Sequence, residues 1–145
     1  MRGGASVLLP RLRALLPGLW AGMLVFLGAI AAPAPFAVLA PQVAGRVAAR
    51  MLAGEAYVSL GLGVLLVVIE RRLRGRAAPN AEMLLALGAL FCTVAGYFAL
   101  LPMMEAARAG QGALSFAALH AVSSAFFVLK AVLILVLAWR VTRIA

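Results

Sequence analysis

A chain of 145 residues in which 66% are hydrophobic and 12% charged cannot cover a water-facing surface with polar groups. Its mean hydropathy of +1.12 places the apolar excess against lipid. The formal net charge of +9 would suggest nucleic acid in a soluble protein, but the twelve arginines and one lysine sit between apolar runs, with no basic stripe and no interleaved aromatics, so nucleic acid is not an expected partner.

Four apolar runs follow in chain order, each near the roughly 20 residues that a helix needs to cross about 30 Å of hydrocarbon. Long runs without alternation are helices rather than barrel strands, because only helices and closed barrels satisfy the backbone in lipid. The expectation is an all-α, four-helix, up-and-down antiparallel bundle forming one transmembrane domain over residues 1–145, with helices near 15–39, 52–72, 83–104 and 113–139.

The first run carries no charge. Arg2, Arg11 and Arg13 precede it, and Ala29-Ile30-Ala31 mimics a cleavage site, but the apolar stretch exceeds the usual signal-peptide core, so it reads as a retained span. Pro33 and Pro35 interrupt its far end. The segment PQVAGRVAARM then reads as a short amphipathic element at 42–51, with Val43, Val47 and Met51 on one side and Arg46 and Arg50 nearby. The second run has Glu55 near its start, and the loop RRLRGRAAPNAE ends it with Gly75, Pro79 and Asn80. Small residues at four-residue spacing, Gly18 with Gly22 and Ala117 with Ala121 and Ala125, suit helix packing.

Charge sets the expected orientation. Arg2, Arg11, Arg13, Arg71, Arg72, Arg74, Arg76, Arg140 and Arg143 fall on one side of four spans, against Arg46, Arg50 and Arg108 on the other. The positive-inside rule puts both termini in the cytoplasm. Richness in Arg, Ala, Gly and Leu points to a GC-rich bacterial genome, hence to the inner membrane.

The fourth run holds the polar residues of interest. Phe116, His120, Ser123, Phe127 and Lys130 fall on one face at 100° per residue. Lys130 lies roughly 14 Å inward from Trp139 and Arg140 by the 1.5 Å rise, near the midplane. A charge there costs about 2.5–3.5 kcal/mol. No acidic residue is expected at its depth, since Glu55 counts to the outer interface; Ser59, Cys92, Thr93 and Ser123 are the expected neutral neighbours. The reading is that Lys130 snorkels toward the inner headgroups, with an anchoring role or a proton-handling role as alternatives.

A second candidate cluster gathers at the outer ends: Arg46, Arg50, Glu55, Glu105 and Arg108, with His120 at the same level. These either form a small polar mouth or cap helices. His120, Cys92 and the methionines are potential soft ligands, but no HxxxH or CxxC spacing concentrates them, so no metal or other cofactor is expected. Without GxGxxG, GxxxxGK[ST] or HExxH, and with one histidine and no aspartate, no catalytic residue is assigned and enzymatic activity is not expected.

The order LWAGM, then Pro33 or Pro35 with Phe36, then Ala44-Gly45 before a basic segment, LLPMMEAARA after the third run and FAALHAVS at the fourth resembles the transmembrane-protein-205-like family, catalogued as domain of unknown function 4149. The resemblance implies the fold and a membrane location, and no established activity. The family pattern often places an Asn seven residues after the His; here Phe127 stands there, and Lys130 one turn on would supply the missing polar group. LWAGM is also similar to membrane modules of the copper-resistance D type, which keeps a copper-handling or transporter-like alternative beside the preferred reading. That preferred reading is a non-enzymatic accessory or structural module whose partners are the lipid bilayer and either a homo-oligomer or another membrane protein.

Overall fold

A computed structural model describes residues 3–143, with side chains from Val7 onward; Arg2 of the orientation argument lies outside the described residues. The described chain is helical, with no strand. Helix α1 (Gly3–Phe26) runs into a π-helical turn (Leu27–Ala31) and, after a turn, the short α2 (Pro35–Val38). Helix α3 spans Pro41–Arg74. Helix α4 (Ala81–Thr93) passes through a second π-helical turn (Val94–Ala99) into α5 (Leu100–Arg108), and α6 covers Phe116–Arg143.

These elements make four apolar spans, Val7–Val38, Pro41–Arg74, Ala81–Arg108 and Phe116–Arg143, each long enough to cross a bilayer. The protein is a multi-pass membrane protein. Consecutive spans pack side by side, and the first also packs on the fourth, so the four close into a ring in chain order.

The helices outrun the apolar runs that mark them in the sequence. Residues 42–51 are not a separate amphipathic element: they continue without a break into α3, because nothing between Pro41 and Arg74 lacks a backbone N–H or forces a turn. Hydropathy alone sees the lipid-facing portion; the hydrogen-bond ladder continues past it. Pro41 stands at the first helical position, where its missing N–H costs nothing. At the other end Gly75 takes φ 62°, and Asn80 caps α4 by accepting a hydrogen bond from the Met83 N–H at 2.9 Å.

Both π turns stand just ahead of prolines. Pro33 and Pro35 follow the first, and Pro102 follows the second. A proline ring clashes with the carbonyl four residues back, and widening the preceding turn relieves the clash. Within the second π turn the Gly96 carbonyl accepts a hydrogen bond from Ser123 Oγ on α6 at 2.6 Å. The third and fourth spans approach closely here, since a Cβ on Gly96 would collide with Phe126.

The apolar core is built from Trp20, Ala21 and Leu24 of α1, Leu66 of α3, Ala86 and Ala89 of α4, and Ile134, Leu137 and Val141 of α6. Small residues of α4 facing large ones of α6 give the size alternation that close packing needs. Two expected packing rows take no part in it. Gly18 and Gly22 are exposed, and a methyl group added to either would meet nothing within 4 Å; Ala117, Ala121 and Ala125 are exposed too. They point out of the bundle because the polar and bulky faces of α1 and α6 claim the interior.

Candidate functional site

Lys130 does not snorkel. Its ammonium lies 2.6 Å from Glu55 Oε1 inside the bundle, where the two side chains are 4% and 5% exposed. The expectation that no acid shares its depth is therefore wrong, and the helix bounds explain why. A span beginning at 52 would leave Glu55 at the interface, but α3 begins at Pro41, so Glu55 and Lys130 each sit fourteen residues beyond the first residue of their helices, Pro41 and Phe116. The direction of the side chain adds to this. Helical side chains lean toward the helix N-terminus, so Lys130 leans away from the Arg140 end, against the direction snorkelling requires.

The pair belongs to a four-residue network. Ser59, one turn beyond Glu55 on α3, donates its hydroxyl proton to Glu55 Oε1 and accepts from Trp20 Nε1 at 2.8 Å. Lys130 Nζ also reaches Ser59 Oγ at 3.5 Å and lies 5.2 Å from the Phe127 ring centroid. Trp20, Ser59, Glu55 and Lys130 thus tie the first, second and fourth spans together through buried polar contacts. Among the described residues no buried side-chain nitrogen or oxygen lacks a partner. Of the neutral neighbours expected for Lys130, Ser59 is in the network. Thr93 is buried and donates to Ala89 O at 2.9 Å on its own helix, and Ser123 serves Gly96.

The stripe of Phe116, His120, Ser123 and Lys130 is consequently divided by depth. Lys130 is interior, Ser123 bridges to the third span, and His120 is exposed, stacked on Phe116 with ring centroids 5.8 Å apart. Arg108 covers the Phe116 ring at 4.4 Å, joining the end of α5 to the start of α6. The outer polar cluster is not a joined group. Arg46, Arg50, Glu105 and Arg108 are exposed and form no ion pair among the described residues, while Glu55 is drawn into the core. Cys92 is buried and His120 exposed, and among the described residues no three of His, Cys, Asp and Glu gather.

A second set of polar contacts, unforeseen in the sequence, closes the other end. Glu70 on α3 is buried, paired with Arg13 of α1, and accepts from Asn80 Nδ2 at 3.2 Å. Glu82 on α4 is buried and 2.9 Å from Arg140 Nε of α6. Three of the chain's four acidic residues therefore bridge spans that are far apart in sequence. The legible signal was scarcity, four acidic residues against thirteen cations; that Glu82 lies on a helix was not legible, because the sequence reads it as the end of the loop RRLRGRAAPNAE.

No curated protein and no solved structure matches the chain. Residues 15–113 match the family described as Domain of unknown function (DUF4149), a match that ends before the FAALHAVS motif of α6. It covers more than half of the sequence and takes in Trp20, Glu55, Ser59, Glu70 and Glu82, and on that ground the chain belongs to the DUF4149 family.

Proposed function

We propose that the protein is a non-enzymatic accessory module of the bacterial inner membrane, with both termini in the cytoplasm, acting through helix–helix contacts with a second copy or another membrane protein. The observation that carries this reading is the outward placement of both small-residue rows, Gly18 with Gly22 and Ala117 with Ala121 and Ala125. Such rows let helix backbones approach in lipid, where apolar burial supplies no drive between helices. The fourth span supports it further, having 17% of its most apolar stretch buried against 28–33% in the others. The internal ion pairs fit a rigid scaffold: they consume the polar groups of the interior in holding spans together.

A cysteine placed at Ala121 tests the reading, with buried Cys92 as unreactive background. Crosslinking in native membranes is expected to trap a reproducible dimer or partner band at Ala121, and none from Leu84→Cys on the third span. Only monomer at Ala121 would overturn it.

The transporter-like alternative rests on the Lys130–Glu55 pair, since ionisable groups within a membrane often mark an ion or proton path. On that reading flux in proteoliposomes changes in Lys130→Met; flux equal to that of empty vesicles removes it.

A further inference from the structure

Charge does not balance at the end of the bundle that carries Arg13, Glu70, Glu82 and Arg140. The two carboxylates there are buried and engaged, Glu70 by Arg13 and Asn80, Glu82 by Arg140. Arg11, Arg71, Arg72, Arg74, Arg76 and Arg143 are exposed, and among the described residues none of them forms an ion pair. Arg71 and Arg74 donate to the carbonyls of Ala77 and Ala78 at 3.4 and 3.2 Å, contacts that leave their charge uncompensated.

These six guanidinium groups lie around the rim, on α1, on the end of α3 and its following turn, and on the end of α6. Exposed apolar side chains adjoin them. Leu73 is interleaved with the α3 arginines, and Trp139, 62% exposed, lies one turn before Arg143, whose guanidinium is 5.0 Å from the indole centroid. Indoles favour the level where acyl chains meet headgroups, and an indole at that level puts the adjoining Arg143 guanidinium beside the phosphates. Arginine's planar fork matches phosphate oxygens.

We infer that this arginine rim binds the phosphodiester headgroups of anionic phospholipids of the phosphatidylglycerol type, with an acyl chain lying along Trp139, Val136 and Val132. The inference rests on the membrane-module reading and names the lipid class that the module holds. A soluble polyanion fits less well, because the cations ring the boundary of the apolar belt instead of forming one projecting stripe.

The chain contains two tryptophans, Trp20 fully buried and Trp139 exposed at the rim, so lipid-borne quenchers read Trp139. The full chain is reconstituted in phosphatidylcholine vesicles containing graded amounts of brominated phosphatidylglycerol or brominated phosphatidylcholine. The expected result is quenching by the anionic lipid as though it were enriched about fivefold at Trp139, the effect of one nearby arginine. The enrichment should fall in Arg143→Gln, and in salt of about 1 M, where the screening length is about 3 Å. The R71Q/R72Q/R74Q/R76Q variant should retain fewer phosphatidylglycerol molecules by native mass measurement, with phosphatidylcholine unchanged. Persisting Trp20 emission shows that each variant keeps its bundle. Equal quenching by the two lipids in the wild type, or enrichment that survives Arg143→Gln and high salt, overturns the inference. A failure of the Ala121 crosslink leaves this result untouched, because quenching reads the rim of a single bundle.

Discussion

Lys130 shows how a costly residue is made tolerable. Alone at mid-depth, a lysine costs about 2.5–3.5 kcal/mol. Beside Glu55 and Ser59, with the Phe127 face near it, its charge is compensated inside the protein. Such a pair is not strongly stabilising relative to an apolar replacement, but breaking it is severe, since the surviving charge is left buried. Glu55→Gln and Lys130→Met are each expected to lower stability by about 3–5 kcal/mol, measured by unfolding in mixed micelles. The double variant should recover most of that loss. If the double were as unstable as the worse single, the pair would not be the reason that both residues are present. Ser59→Ala should cost less, about 1–3 kcal/mol, by leaving the Trp20 indole N–H without its acceptor.

Among the helices, the close approach of the third and fourth spans depends on the π turn at Val94–Ala99. Gly96 lets Phe126 pack against the backbone, while Ser123 donates to the Gly96 carbonyl. A methyl group at Gly96 must displace the Phe126 side chain at its root, where it has little freedom. Gly96→Ala is therefore expected to destabilise by about 1–3 kcal/mol in the same assay. Gly18→Ala, with open space around it, should leave the isolated bundle as stable as before or slightly more so, because alanine favours helix. Equal effects at the two positions would show that the approach at Gly96 is not a packing constraint. Gly18 and Gly96 look alike in sequence, each in an apolar helix, and only the neighbouring span distinguishes them.

In the molecule as a whole, the three bridging carboxylates are placed at two levels. Glu70 and Glu82 are paired at the arginine-rich end, and Glu55 is paired within the span. Each joins a different pair of spans: Glu70 ties the second to the first, Glu82 the third to the fourth, and Glu55 reaches across the bundle from the second to the fourth. The arginine excess that remains at one end argues for its retention in the cytoplasm. A fluorescent protein fused after Ala145 should accordingly fold and fluoresce, and alkaline phosphatase fused there should be inactive. The opposite pattern would invert the orientation and move the arginine rim to the other leaflet.

The number of spans, the all-α class and the lipid setting are written in local composition, because hydrophobic runs of membrane length have few alternatives once every backbone group must be bonded. The break at Gly75 and Asn80 is equally local. Helix ends are not: 42–51 belongs to α3 because a hydrogen-bond ladder continues wherever nothing stops it, whatever its hydropathy. That boundary hides the partner of Lys130, since depth counted from the wrong start leaves Glu55 at the surface. Burial of Glu70 and Glu82, and the outward turn of Gly18 and Ala121, depend on which faces four separate helices present to one another. Residues such as Glu55 and Lys130, 75 positions apart, meet only when the ring closes.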